Sequence, residues 1–156
     1  MQSEERRRLS PQERHRFEVA GVAEAWLAKP LGYPRELRAV VPALEDDERV
    51  SSVFEVFHSK WFGGGGLLFL TDRRIVFVHT PLWMRRILSI PFTQIDDLSM
   101  RSIGYREDLI VHTDGGKAYT FWQGGSDRNV LERLRSALEE KIGTTSGARR
   151  ASERGR

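Results

Sequence analysis

A chain of 156 residues, 39% hydrophobic and 30% charged, has room for one domain with a core and too few residues for two. It lacks cysteine, which excludes disulfides, cysteine-based zinc sites and thiol catalysis and fits a reducing cytoplasm. The net charge is only +3, yet the basic residues are nearly all arginine and crowd both ends, in ERRRLSPQERHR and SGARRASERGR.

The charged opening MQSEERRRLSPQERHRFE is unlike a cleaved signal peptide, and no later segment offers the ~18 uninterrupted apolar residues of a membrane span. Residues 1–9 and 144–156 lack hydrophobic periodicity and read as disordered basic tails. At Ser10 the order Ser, Pro, Gln, Glu predicts a helix start, with a serine N-cap, proline in the first turn and a glutamate able to close a capping box. Phe17, Ala20, Val22, Ala23, Trp26 and Leu27 then fall roughly on one apolar stripe, which KPLGYP ends. A shorter helix from Arg35 to about Leu44 presents Leu37, Val40, Val41 and Leu44, and Pro42 predicts its kink or early end. Residues 10–44 thus form a predicted N-terminal helical extension.

From Val50 the period changes to alternation, and β-branched and aromatic residues take over. RVSSVFEVFHSKW, GLLFLT, RIVFVHT, RRILSIPF, IDDLSMRSIG, EDLIVHT and KAYTFWQ read as seven short antiparallel strands. The turn DR joins the second to the third, and DGG joins the sixth to the seventh. The closing segment SDRNVLERLRSALEEKIG predicts one amphipathic helix, capped at Ser126, with Val130, Leu131, Leu134, Ala137, Leu138 and Ile142 on one face and Gly143 as its stop. A seven-strand meander has exposed edges unless it curls, and a curled one needs a plug, which the last helix supplies. In LLFL and IVFV both strand faces are apolar, so a second element must cover the outside, and the N-terminal helices are the expected cover.

The segment GGLLFLTDRRIVFV, followed by ILSIPFTQIDDLS, LIVHTDGGKAYTFW and the final helix, resembles the bacterial pleckstrin-homology family, with GRAM-type domains as near relatives. The resemblance covers about Glu45 to Ile142, and LTDRRIVFV is its most specific element. It implies a non-enzymatic PH-like barrel over residues 45–143, without cofactor. It also places the loop Lys60 to Gly66 where better-known eukaryotic relatives bind phosphoinositide headgroups through several basic residues. This loop has one lysine, a departure that counts against phosphoinositide specificity.

No motif with a catalytic mechanism survives inspection. The glycines Gly63 to Gly66 are followed by Leu67 and a strand rather than by a lysine and a helix, so they form a loop and not a phosphate cradle. His15, His58, His79 and His112 have no zinc-site spacing, the carboxylate clusters sit at turns, and Ser51, Ser59 and Ser89 lack a nucleophile-elbow context. Core packing is the better reading for most of Tyr119, Phe121 and Trp122, so a single-stranded nucleic-acid face is disfavoured.

What remains is basic and apolar residues at loop tips. Lys60, Arg73, Arg74, Arg85 and Arg86 are the candidate anion-binding residues. Trp61, Phe62, Leu82, Trp83 and Met84 are the candidate contact residues, unless they pack on the N-terminal helices instead. The function these features predict is a cytoplasmic binding module, peripheral at the inner membrane face, that contacts a protein partner or anionic lipid headgroups. The alternative is homo-oligomeric self-association or peptide binding through an exposed edge strand and the N-terminal helices. A nucleic-acid contact through the arginine-rich tails is the weakest of the three.

Overall fold

The computed structural model describes residues 9–58, 65–82, 84–123 and 129–154, with only the backbone of residues 31 and 145–153. Lys60, Trp61, Phe62, Gly63, Gly64, Trp83 and Ser126 lie outside the described residues, as does most of the N-terminal tail.

Helix α1 spans Pro11–Trp26 and starts as its sequence dictates. Glu13 N donates to Ser10 Oγ at 3.3 Å and Ser10 N donates to Glu13 Oε2 at 2.9 Å, which closes the capping box. Helix α2, Pro34–Val40, passes directly into a 3-10 turn over Val41–Ala43, so Pro42 tightens the chain where a kink or an end was expected. Seven strands follow: β1 Val50–His58, β2 Gly65–Thr71, β3 Arg74–His79, β4 Arg86–Pro91, β5 Ile95–Ile103, β6 Arg106–Thr113 and β7 Ala118–Gln123. All pair antiparallel in one sheet of order β4-β3-β2-β1-β7-β6-β5.

Strand β1 is the hinge of this sheet. It pairs with β2 along nearly its whole length and with β7 only at Val56, Phe57 and His58. The sheet therefore folds over on itself, and the inward residues of all seven strands meet in one core with Phe54, Phe77, Leu109 and Phe121 at its centre. Helix α3, Val130–Arg154, plugs that core with Val130, Leu131, Leu134 and Leu138. It runs past Gly143, where a stop was expected. Gly143 is not among the positive-φ glycines, so its backbone lacks the left-handed turn by which glycine ends a helix.

A second core lies on the outside of β1, β2 and β3. Val53, Leu67, Phe69, Val76 and Val78 point away from the first core and are buried under Val19 of α1, Ala39 and Val40 of α2, and Val41 and Leu44 beyond it. The N-terminal helices are the cover that the two-faced apolar strands require. The apolar stripe on α1 is narrower than expected, however. His15, Val19 and Ala23 are buried, while Phe17 is 69% exposed and Ala20 is also exposed. Among the described residues, no helix is long and apolar enough to cross a membrane.

The glycine run ends inside β2, since Gly65 and Gly66 are both strand residues. At Gly66 a Cβ would stand 2.3 Å from the Val78 carbonyl oxygen and 2.9 Å from the Phe77 ring, so β2 and β3 close only over a residue without a side chain. Gly66→Ala should therefore destabilise the domain by about 2–3 kcal/mol, read as a lowered denaturant midpoint. Gly143→Ala, in open space on a helix, should raise stability by about 0.5–1 kcal/mol.

Candidate functional site

The candidate basic residues fall at opposite ends of the first half of the sheet. Arg73 and Arg74 sit at the β2–β3 turn and Arg85 and Arg86 at the β3–β4 connection. Five register steps along the β3–β4 ladder, roughly 17 Å, separate Arg74 from the partner of Arg86, His79.

At the β2–β3 end the arginines are already occupied. Arg73 pairs with Glu45 and, at 2.6 Å, with Asp47. Arg74 donates from Nε to Glu48 Oε1 and from Nη2 to Glu48 Oε2, each at 2.8 Å, and reaches Ala43 O at 2.7 Å and Ser89 Oγ at 3.0 Å. Glu48 is fully buried, and it also accepts from Glu45 N at 3.0 Å. Burial alone would raise its carboxyl pKa. The hydrogen bonds from Arg74, Glu45 and Thr71 and the charge of Arg74 outweigh that effect and hold it at about 2. His15 Nε2 lies 3.0 Å from Glu48 O and Arg14 donates to Asp46 O at 3.1 Å, so α1 is fastened to the same segment. The acidic run Glu45 to Glu48, expected to be turn chemistry, is the clasp between the helical extension and the sheet.

The other end is different in kind. Leu82 is 72% exposed and Met84 47% exposed, so these two do not pack on the N-terminal helices. Leu82 has φ of 52°, a left-handed conformation that costs a leucine about 1–2 kcal/mol. The Arg35 guanidinium donates to the Leu82 carbonyl, and Met84 N donates to Pro81 O at 2.9 Å. Across from this loop stands α2, fixed by the burial of Ala39 and Val40, with Arg35 and Arg38 on its exposed side. Arg35, Arg38, Thr80, Leu82, Met84 and Arg85 line a cavity of about 440 Å³. Among the described residues no carboxylate forms an ion pair with Arg35, Arg38, Arg85 or Arg86. The nearby Glu36 accepts a 2.6 Å hydrogen bond from Thr80. Arg35 and Arg38 were absent from the sequence-based candidates, because arginines on a short surface helix carry no signal until the fold sets them beside a loop.

The histidines serve as hydrogen-bonding residues. His58 Nδ1 lies 2.9 Å from Thr120 O and His79 Nδ1 3.0 Å from Gly65 O, so each ties two strands together. Ser99 Oγ is 2.8 Å from His112 Nε2, a half-buried contact between β5 and β6. Among the described residues no carboxylate bonds the other ring nitrogen, so the pair lacks the orienting member of a hydrolytic triad. Among the described residues no cluster of three metal-ligating side chains exists.

Solved structures share this architecture. The chain is similar to the N-terminal PH domain of Vps36, at 17% identity over 67% of this chain and 86% of that one, with a TM-score of 0.53. It is also similar to the hSac2 domain from the human phosphoinositide phosphatase Sac2, at 9% identity over 67% of this chain and 76% of that one, TM-score 0.53. A C-terminal domain of an unknown protein from Leishmania infantum matches at 16% identity over 61% and 85% of the two chains, TM-score 0.50. No protein-family model matches the sequence, and no curated protein does. The fold is PH-like, with an N-terminal helical cover on the outside of β1, β2 and β3.

The clasp has a pH signature. A carboxyl whose folded pKa is depressed contributes stability above its unfolded value near 4.5 and loses that contribution as the pH falls toward about 2. Wild-type stability should therefore drop between about pH 4.5 and pH 2. Glu48→Gln should lower stability at pH 7 by about 3 kcal/mol and flatten that acid limb, as measured by urea unfolding across the pH range.

Proposed function

We propose that this chain is a non-catalytic binding module that docks on an anionic membrane surface through the cavity between α2 and the β3–β4 loop. The observation that carries the reading is the sorting of arginines. Arg73 and Arg74 are neutralised by Glu45, Asp47 and Glu48, whereas Arg35, Arg38 and Arg85 surround a cavity with no ion-paired carboxylate among the described residues. Uncompensated guanidinium groups favour phosphate or carboxylate oxygens, to which they donate bidentate hydrogen bonds. Leu82 and Met84, exposed beside them, supply apolar contact at headgroup depth. Trp83, between the two, belongs to the same loop by sequence.

The reading assigns Arg85, Leu82 and Met84 to the contact, adds Arg35 and Arg38, and keeps Arg86 at its margin on β4. It leaves Arg73 and Arg74 to the clasp. Membership of the bacterial pleckstrin-homology family and a place at the cytoplasmic face of the membrane belong to the same proposal, since a PH-like domain of this chemistry needs an anionic leaflet to meet.

Vesicle sedimentation tests it directly. Vesicles containing phosphatidylglycerol should bind the chain at low salt, and phosphatidylcholine vesicles should not. Each arginine near the surface contributes about 1 kcal/mol, so Arg38→Ala, Arg85→Ala and Arg86→Ala combined should weaken binding about a hundred-fold. Arg73→Ala should leave binding unchanged. Equal binding to neutral vesicles, or an equal loss from Arg73→Ala and from the triple variant, would overturn the reading.

A further inference from the structure

Helix α1 has an outward face that neither the fold nor the membrane reading uses. Phe17 is 69% exposed at its centre, beside exposed Ala20 and Gly21, and a Cβ on Gly21 would meet nothing within 4 Å. A mid-helix glycine facing solvent weakens a helix by about 0.5–1 kcal/mol relative to alanine, and an exposed phenylalanine gains nothing from water. The face continues into a groove of about 570 Å³ toward α2, lined by Arg16, Val19, Ala20, Leu37, Val41 and Pro42 among others. Apolar side chains from α1, α2 and the turn after α2 line it, with Gln12, Arg16 and Arg38 among them.

Its charges identify the occupant. Arg16, Ala20 and Glu24 are spaced by four residues and share one stripe of the helix, all three exposed. Arg16 lies four residues before Ala20 and Glu24 four after it, about 6 Å to each side. Among the described residues neither forms an ion pair. A stripe that is basic at one end, small in the middle and acidic at the other is complementary to itself when reversed. Antiparallel packing of two such helices about a two-fold axis at Ala20 sets each Arg16 opposite the other copy's Glu24. Ala20 and Gly21 let the backbones approach, and Phe17 of each copy is covered. A two-fold contact requires one patch that matches its own reverse, and this stripe has that property.

We propose that the outward face of α1, with the adjoining α1–α2 groove, binds a second copy of this chain in an antiparallel, two-fold arrangement. The groove shares Arg38 with the cavity at the β3–β4 loop, but Arg16, Phe17 and Glu24 lie outside that cavity, so variants at these three positions test the dimer apart from the membrane reading. A helix of 16 residues is about 24 Å long, which places the interface at the small end of stable contacts and makes the dimer concentration-dependent.

Sedimentation velocity of the full chain over a concentration series reads this out, without lipid. The wild type should pass from monomer to dimer as concentration rises. Arg16→Glu and Glu24→Arg each turn two attractive pairs into repulsive ones and should weaken the dimer by about ten-fold or more. The double variant R16E/E24R restores opposite charges and should recover the wild-type constant to within a few-fold. Phe17→Ser should weaken it without affecting the charge-swap rescue. All three positions, Arg16, Phe17 and Glu24, are exposed, and circular dichroism should report an unchanged fold for each variant. A wild type that stays monomeric throughout overturns the proposal. So does a dimer indifferent to both single reversals, or one that the double variant fails to restore.

Discussion

The structure depends on strands β2 and β3 being apolar on both faces. Every residue from Gly66 to Thr71 and from Ile75 to His79 is buried, although a sheet curled around one core can bury only one face of each strand. The outer halves, with Leu67, Phe69, Val76 and Val78, therefore need a second layer, and α1, α2 and the turn after them supply it. Each large apolar side chain so covered contributes about 1.5–3 kcal/mol. The helical extension is accordingly part of the folded unit. The Glu48 and Arg74 clasp and the His15 contact to Glu48 fix where it lands.

The site follows from that cover. Burying Ala39 and Val40 against the sheet orients α2 and turns Arg35 and Arg38 outward beside the β3–β4 loop. A barrel without the extension would present Leu82, Met84 and Arg85 on an isolated loop, with no opposite wall. Electrostatics then divides the arginines. Those at the β2–β3 end meet the acidic run that closes the extension, and those at the β3–β4 end meet none of it.

Much of this was legible in the residues. The β-branched and aromatic runs of β1 through β7, the capping box at Ser10 and the turns DR and DGG each fix a local geometry, and local geometry is what one sequence encodes directly. What was missed depends on contacts distant along the chain. Phe17 and Ala20 look like core residues because α1 carries apolar residues around most of its circumference, and only docking decides which arc is buried. Gly143 reads as a stop, but glycine ends a helix only where the backbone turns left-handed, and here it stays helical. Arg73 and Arg74 look free because their carboxylate partners lie more than twenty residues earlier. The glycine run hides a close approach at Gly66 that depends on Phe77 and Val78 of the neighbouring strand.

The central claim is that one set of helices both covers the sheet and forms one wall of the proposed binding surface. Hydrogen exchange of the full chain, with and without vesicles containing phosphatidylglycerol, tests it most directly. The account predicts slowed exchange in α2, Pro34–Val40, and in the β3–β4 connection together. Protection confined to other loops, with α2 unchanged, would contradict it.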